Sequence, residues 1–575
     1  MQRSRAQARG SRRRSGREMI AKGLPRKRRS LLRQAGSTSV IAGLAVLTGF
    51  LLDVVIAASY GAGPITDSFF VAARLPLGAG ALAVAAANQA LVPAFATSLG
   101  KRTEQATWRL ASIIITTTLA GGAVLVAAIS LLAGPLVALT APGLPAAEAK
   151  LAAELVPVTF AMIPLVVSSE VLRALLNARF SFVVPAATNI ALSGTAAAVI
   201  LATRHNPHAI AWAYLAGAVV QLTFISAFAM LNGFRYRPSL RLRDEHFRSV
   251  AKLSVRPIVA GGLNPVTRVA EQVLLSYLPT GSITIVAYGY RLISAVGGTI
   301  FFRSVMVTLL PRLTAAGSKP AELNKLAGQG LRIMLALSLP LTAFVAVLAT
   351  PVALVVFQRG QFTREKALLL GTLITVYAFS LVGSGVQRAL LAPFFALLDT
   401  RTPLRNTIYG VVANLVLLPA AVGAIALAGG PAVIGVAVAY SIAQYVNVAH
   451  AAYRVRSVAG SPWRGTAPLA LKVALASGLS ALAMLPAERW LELERPKTRL
   501  VELGGLVAVG LIGLVVLGGA LGLLFFREIR HRRLRSGAGN GQGSSPGHGT
   551  DVTLRMAPVS ETTVGTPEKA QREGV

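Results

Sequence analysis

The chain contains no cysteine. Disulfide frameworks, thiol nucleophiles and thiolate metal sites are therefore excluded together. Acids are scarce too, with 22 Asp and Glu against 57 Lys and Arg in 575 residues. None of the 6 histidines sits in the His/Glu spacing of zinc hydrolases, and no metal site is expected. A phosphate-cradling Gly-x-x-x-x-Gly-Lys-Ser/Thr loop is missing, so no nucleotide cofactor and no ATPase domain are expected. Short alternating strands with aromatic girdles are also missing, which excludes an outer-membrane barrel. A soluble enzyme does not fit any of this.

What remains is apolar. Hydrophobic residues make up 54% of the chain and the mean hydropathy is +0.62. They fall in blocks of about 20 residues or more, the length that crosses a bilayer as helix. Fourteen blocks are predicted, near 37–60, 67–98, 107–133, 152–176, 181–202, 208–232, 249–278, 283–311, 327–349, 367–397, 404–428, 431–453, 466–486 and 500–526. The expected fold class is an all-α polytopic membrane protein.

The net charge of +35 resides in loops and tails rather than in the blocks. A nucleic-acid partner is therefore not expected; topogenic charge and anionic lipid headgroups explain the balance better. Residues 1–35 form a basic tail, densest at Arg12-Arg13-Arg14 and Arg26-Lys27-Arg28-Arg29. It is not read as a signal peptide, because the block after it is too long and runs into another span. Alternate loops are basic, as at Arg235, Arg237, Arg241 and Arg243, while Pro279-Thr280-Gly281-Ser282 and Ala428-Gly429-Gly430 carry no charge. That asymmetry predicts both termini in the cytoplasm. The loops around Arg359 to Lys366 and Glu488 to Arg499 are mixed in charge and fit it less well.

The first twelve blocks read as a duplication. Gly63-Pro64-Ile65-Thr66 returns as Gly281-Ser282-Ile283-Thr284, Arg74-Leu75 as Arg291-Leu292, and Leu91-Val92-Pro93 as Leu309-Leu310-Pro311, each roughly 217 residues on. The expected organisation is a tail (1–35), a first six-helix lobe (36–232), a basic cytoplasmic linker (233–248), a second lobe (249–455), two extra spans (456–526) and a disordered tail (527–575). Parallel repeats of this kind build transporters with a substrate site between the halves.

Ionisable groups inside spans are costly and mark function by default. They are Asp53, Asp67, Arg74, Arg268, Glu271, Arg291 and Arg303. Counted along their helices at about 1.5 Å per residue, Asp53, Arg74, Arg268 and Arg291 lie roughly 10–15 Å from the outer end. They are predicted to line one wet cavity, with Arg268 and Glu271 three apart on a helix face and able to pair. Such charges can alternatively serve only to pair and fix packing. Arg303 can snorkel. Asp67 is expected to be an exposed or capping acid. Gly261, Gly262 and Pro265 are predicted to interrupt the seventh span as a hinge. The turn Asp399-Thr400-Arg401-Thr402-Pro403 is predicted as a tight helix-turn-helix at the membrane surface, with Asp399 capping and Pro403 in the first turn.

Several of these stretches resemble one family. Gly61-Ala62-Gly63-Pro64-Ile65-Thr66-Asp67-Ser68-Phe69-Phe70-Val71-Ala72-Ala73-Arg74-Leu75-Pro76, Leu176-Asn177-Ala178-Arg179-Phe180, Tyr288-Gly289-Tyr290-Arg291-Leu292, Phe357-Gln358-Arg359-Gly360-Gln361-Phe362-Thr363 and the turn at Asp399 are similar to the MurJ/MviN lipid II flippases. The resemblance covers most of residues 40 to 450. It implies a carrier of a polyprenyl-pyrophosphate-linked saccharide across the bacterial plasma membrane, a non-enzyme working by alternating access. It also implies that spans thirteen and fourteen form a groove for the lipid tail. A guanidinium suits the diphosphate, because its rigid fork of donors matches phosphate oxygens.

The chain departs from the family pattern in the first two spans. Val46-Leu47-Thr48-Gly49-Phe50-Leu51-Leu52-Asp53 keeps the family's glycine and acid without the flanking arginines. Leu77-Gly78-Ala79-Gly80-Ala81 and Ala85-Ala86-Ala87 replace a polar, basic run. Each lost phosphate contact is worth roughly 1.5–3 kcal/mol. A carrier of another lipid-linked glycan, or a non-transporting scaffold among cell-envelope synthesis proteins, therefore stays open beside lipid II transport. A cation or drug exporter would need an acidic cavity, and this set is basic.

Overall fold

The computed structural model describes residues 40–101, 103–203, 206–297, 302–317, 319–463, 465–490 and 499–538. The amino-terminal tail and the carboxy-terminal tail beyond 538 lie outside the described residues. The chain divides into residues 1–521 and 522–575. The fold and site below belong to the first unit. The second, among the described residues, is the last part of one helix.

Every regular element among the described residues is helical. The first half holds α1 (Val40–Tyr60), α2 (Pro64–Ala86), a π-helical turn (Ala87–Leu91), α3 (Val92–Lys101), α4 (Glu104–Leu131), α5 (Ala133–Thr140), α6 (Ala146–Ala178), α7 (Val183–Ala202) and α8 (Ala209–Leu231). The second holds α9 (Glu245–Leu275), α10 (Ser282–Ser294), α11 (Phe302–Ala316), α12 (Pro320–Phe357), α13 (Arg364–Ala396), α14 (Arg401–Leu427) and α15 (Ile434–Ala459). Then come α16 (Thr466–Trp490) and α17 (Arg499–Ala538). Among the described residues, eleven helices are long and apolar enough to cross a membrane. The other three predicted spans coincide with α9, with α10 and α11, and with α15. These are helical but carry more polar residues or are shorter, and they pack among the apolar helices.

The helices outrun the apolar blocks that predict them. α6 runs from Ala146 to Ala178 around the block predicted at 152–176, and within it Arg173 pairs with buried Glu170 at 2.5 Å. The basic stretch from Arg527 continues α17 rather than ending it.

Helix starts repeat at one constant offset: 64 and 282, 146 and 364, 183 and 401. Each half is built on its long counterpart. α6 holds α2, α4 and α8 around it, and α13 holds α10, α11, α12 and α15. α16 lies on α12. Lipid offers no hydrophobic drive for helices to associate, so close packing through small residues has to supply it. Gly217 on α8 illustrates this, since a Cβ there would sit 2.6 Å from the Leu192 carbonyl oxygen of α7. Its counterpart, Gly435 on α15, lies equally tight on Val422 of α14.

The main apolar core runs through both halves, from Phe69 and Tyr214 to Tyr288, Phe357 and Tyr377. A second cluster fills the basic end of the first half, around Phe95, Leu110 and Ile225. α6 and α13 end alike. Ser181 donates to the Leu176 carbonyl, and Asp399 to that of Phe394. Phe180 and Leu398 take the left-handed position that glycine usually fills.

Candidate functional site

Polar side chains join the two halves at two levels. The first is the end away from the Arg235–Arg243 linker, where α2 and α10 both begin. Gly281 starts α10 with φ of 95°, and a Cβ there would meet the Ala62 carbonyl at 2.6 Å, so only glycine fits. The opened helix start points its N–H groups at Asp67. Its carboxylate accepts from Gly281 N (2.6 Å), Thr284 N (2.8 Å) and Thr284 Oγ1 (2.5 Å). A carboxylate at a helix N-terminus is favoured by both the free donors and the dipole. This corrects the expectation of an exposed acid. Asp67 caps a helix, but the helix belongs to the other half, and the carboxylate is buried. Distance along its own helix put Asp67 near a helix end, where it lies, yet it could not show what packs over it.

Three further bonds close the same seam. Thr280 Oγ1 donates to Glu148 Oε1 (2.8 Å), Gly143 N to Ser276 Oγ (3.0 Å), and Gln361 N to the Ala58 carbonyl (3.0 Å).

Deeper in, the predicted arginines appear. Arg291 on α10 pairs with Asp53 on α1 and lies over the Phe70 ring at 5.3 Å. Arg74 on α2 donates through Nε to Gln272 Oε1 on α9 (2.8 Å), and Gln272 Nε2 donates to the Thr140 carbonyl (3.2 Å). Both links cross between the halves. Arg268 pairs with Glu271 at 2.5 Å, as their spacing predicts. Its guanidinium stacks 3.4 Å from the Tyr290 ring centroid and 5.2 Å from that of Tyr440. Glu271 also accepts from Asn414 Nδ2 (2.8 Å), so both of its oxygens are engaged. Arg74 lies within reach of the charges of Arg268, Glu271 and Arg291, which makes the group one electrostatic cluster.

Around this cluster the open space is divided. Arg268 lines a cavity of about 280 Å³ among α9, α10, α13, α14 and α15. Arg74 borders a separate space of about 10 Å³, room for one water. Neither Arg74 nor Arg291 is among the lining residues of the larger cavity. Sequence reasoning missed the residues that give the large cavity its character: Gln387, Arg388, Asn414, Gln444 and Asn447. Arg388 also lies 5.9 Å from the Phe302 ring. A search limited to charged groups passes over amides, although an amide in a span is itself a signal; Arg388, charged and inside the predicted block 367–397, was open to that search and was overlooked. Asn414 Oδ1 and Asn447 Oδ1 are buried there without a donor, so the cavity lining has acceptors as well as guanidiniums.

A family model described as the lipid II flippase MurJ matches residues 56–507. The chain belongs to the MurJ family of lipid II flippases. Among curated MurJ relatives, a probable lipid II flippase of Rhizobium meliloti is 26% identical over 503 residues, covering 81% of this chain and 89% of the relative. The lipid II flippase MurJ of Burkholderia cenocepacia is 27% identical over 395 residues, covering 66% and 75%. A solved lipid II flippase MurJ in an inward closed conformation shares the fold with a TM-score of 0.71 at 20% identity, over 86% of this chain and 99% of that one. An inward-facing MATE multidrug transporter shares it less closely, with a TM-score of 0.57 at 16% identity, over 72% and 95%. MurJ membership and the apolar helices make this a multi-pass protein of the bacterial inner membrane, and a transporter by family rather than a catalyst.

The remaining predicted positions are as follows. Gly261, Gly262 and Pro265 lie within α9, which continues through them instead of breaking; the surroundings of the two glycines lie outside the described residues. Pro265 packs against Gly78 of α2. Arg303 is in α11, and its side chain is outside the described residues. Asp399 accepts from Arg401 N (2.8 Å), Thr402 N (3.2 Å) and Thr402 Oγ1 (2.6 Å), with Thr400 and Pro403 flanking the start of α14. Burial, the largest single influence, pulls its carboxyl upward, but these three donors together hold it below the usual range.

Proposed function

We propose that this chain carries lipid II from the inner to the outer leaflet, with its diphosphate held by Arg74, Arg268 and Arg291. The observation that supports this most directly is that Asp53–Arg291 and Arg74–Gln272 each link one half to the other. A diphosphate is a stronger acceptor than either protein partner and matches the guanidinium fork. Binding is then an exchange of partners. Leaving a buried charge alone costs about 3–5 kcal/mol, so the Asp53–Arg291 bond opens only where the headgroup takes over Arg291 and Asp53 is hydrated or protonated as the halves part. Loosening a bond between the halves is what a rocking carrier needs at that moment.

In this reading the halves are the two lobes, the basic loops and both termini face the cytoplasm, and the seam at Asp67 is the outer gate. Gly261, Gly262 and Pro265 in α9, together with Asp399, Thr400, Arg401 and Pro403 at the start of α14, are where the second lobe bends. Anionic lipids surround the basic loops. α16 and α17 carry long exposed apolar side chains such as Leu475, Leu482, Leu511 and Val515, which suit a polyprenyl tail.

Complementation of a strain depleted of its own lipid II flippase tests this. Growth should return with the wild-type chain and fail with Arg291→Ala at equal membrane level. A wild-type chain that reaches the membrane without restoring growth overturns the proposal and favours a scaffold.

A further inference from the structure

A separate basic groove lies where the stretch between α8 and α9 doubles back along α4. Gly233, with φ of 90°, turns the chain out of α8 beside Trp108. The extended stretch then fastens to α4: Arg237 N donates to Ser112 Oγ (3.2 Å) and Ser239 N to Thr116 Oγ1 (3.2 Å). Trp108, Ser112 and Thr116 are four apart, so they form one stripe on α4. The groove encloses about 1070 Å³, and Arg109, Arg235, Arg237 and Arg241 line it.

Among the described residues, these four arginines face one acid in the groove lining, Asp244. Among the described residues none of the four pairs with a carboxylate. Asp244 caps α9 through one oxygen, Oδ1, which accepts from His246 N (2.9 Å) and Phe247 N (3.2 Å). Nearby Glu104 is paired with Arg179 at 3.0 Å. Trp108 Nε1 is buried at the groove without an acceptor. Exposed Tyr236, Leu240 and Leu242 alternate with the arginines.

The depth of the groove identifies its occupant. α4 has 28 residues and is therefore about 42 Å long, against a hydrocarbon core of roughly 30 Å. The overhang of about 12 Å places the first turns, with Trp108 and Arg109, in the headgroup layer, and the stretch from Gly233 runs from beside Trp108 toward Thr116, alongside the helix rather than beyond its end. Unpaired guanidiniums flanked by exposed apolar side chains at that level meet phosphodiesters and the first methylenes of acyl chains.

We propose that this groove seats the phosphodiester headgroup of an anionic glycerophospholipid from the surrounding leaflet. The proposal rests on the membrane reading and not on transport, so a binding assay and the growth assay can fail independently. The full-length chain in a neutral detergent is titrated with phosphatidylglycerol or with phosphatidylcholine of the same acyl chains. Native mass spectrometry counts the bound lipid. Phosphatidylglycerol should bind preferentially, and Arg235→Gln with Arg237→Gln should weaken it roughly thirtyfold, the effect of two surface arginines. Arg109→Gln, on the other wall, should weaken it by less. Lys319→Gln with Lys325→Gln, an equal charge loss at other exposed positions, should leave the preference intact, and equimolar inorganic phosphate should not compete. Equal binding of the two lipids, an arginine variant that keeps the preference, a lysine variant that loses it, or displacement by inorganic phosphate each overturns the assignment.

Discussion

Replacing Asp67 should do more to this protein than replacing any single residue on its exposed surface. The carboxylate accepts three bonds of 2.5–2.8 Å, all from the first turn of α10 in the opposite half. Hydrogen bonds to a charged group contribute roughly 1.5–3 kcal/mol each, and they are not additive when they share one acceptor. Asp67→Ala strips the acceptor from two amides and a hydroxyl that stay buried when the seam is shut. We expect a loss of about 3–5 kcal/mol from the sealed arrangement. Asp67→Asn keeps one oxygen for Thr284 and turns an amide donor toward Gly281 N–H, so about 2–3 kcal/mol is expected. Even 3 kcal/mol shifts a two-state population more than a hundredfold. The chain has no native cysteine, so a labelled pair at Ala147→Cys and Glu365→Cys reports on the seam without background. Double electron–electron resonance should show a longer distance population in Asp67→Asn and a larger one in Asp67→Ala. Distance distributions that superpose on the wild type in both variants would refute the idea that this carboxylate holds the halves together.

Arg291→Ala should lower thermal stability by about 3–5 kcal/mol by stranding Asp53; Asp53→Ala with Arg291→Ala should recover most of it, as read by Tm, without restoring growth. Gly217→Ala forces α8 off the Leu192 carbonyl and should cost about 1–3 kcal/mol in unfolding measurements, whereas Gly121→Ala, with open space around it, should cost almost nothing. Asp399→Ala should lose about 1 kcal/mol of capping. Since its carboxyl is held below the usual range, that contribution is complete above the unfolded carboxylate value and fades only as pH falls through the lower folded one. The stability difference between Asp399→Ala and wild type should therefore be flat from pH 5 to pH 8 and shrink in stronger acid. Leu398→Gly relieves a left-handed backbone position and should raise Tm or leave it unchanged.

The helices were legible because a bilayer imposes a minimum length on every span, and the duplication was legible because Gly63-Pro64-Ile65-Thr66 and Arg74-Leu75 have counterparts at nearly one offset. Pairing at short range was legible too, as with Arg268 and Glu271 on one helix face. Pairing between halves was not. Nothing in the composition around Asp67 says that its partner is a helix start more than two hundred residues away, since that depends on how two packed bundles are set against each other. The expectation of one shared cavity rested on depth alone, and depth does not separate Arg74, in a space for one water, from Arg268, beside a cavity of about 280 Å³. The amides around Arg388 escaped notice because an uncharged side chain leaves no mark in a count of charges.

The seam at Asp67 has one more consequence. Its bonds come from α2 to α10, from Glu148 to Thr280, and from the Ala58 carbonyl to Gln361, all between the same two bodies. A rigid swing that parts one of them parts the rest. With the seam as the proposed outer gate, such a closure has no position in which some of these bonds are parted and others kept. On that proposal, the whole seam opens or seals in a single step.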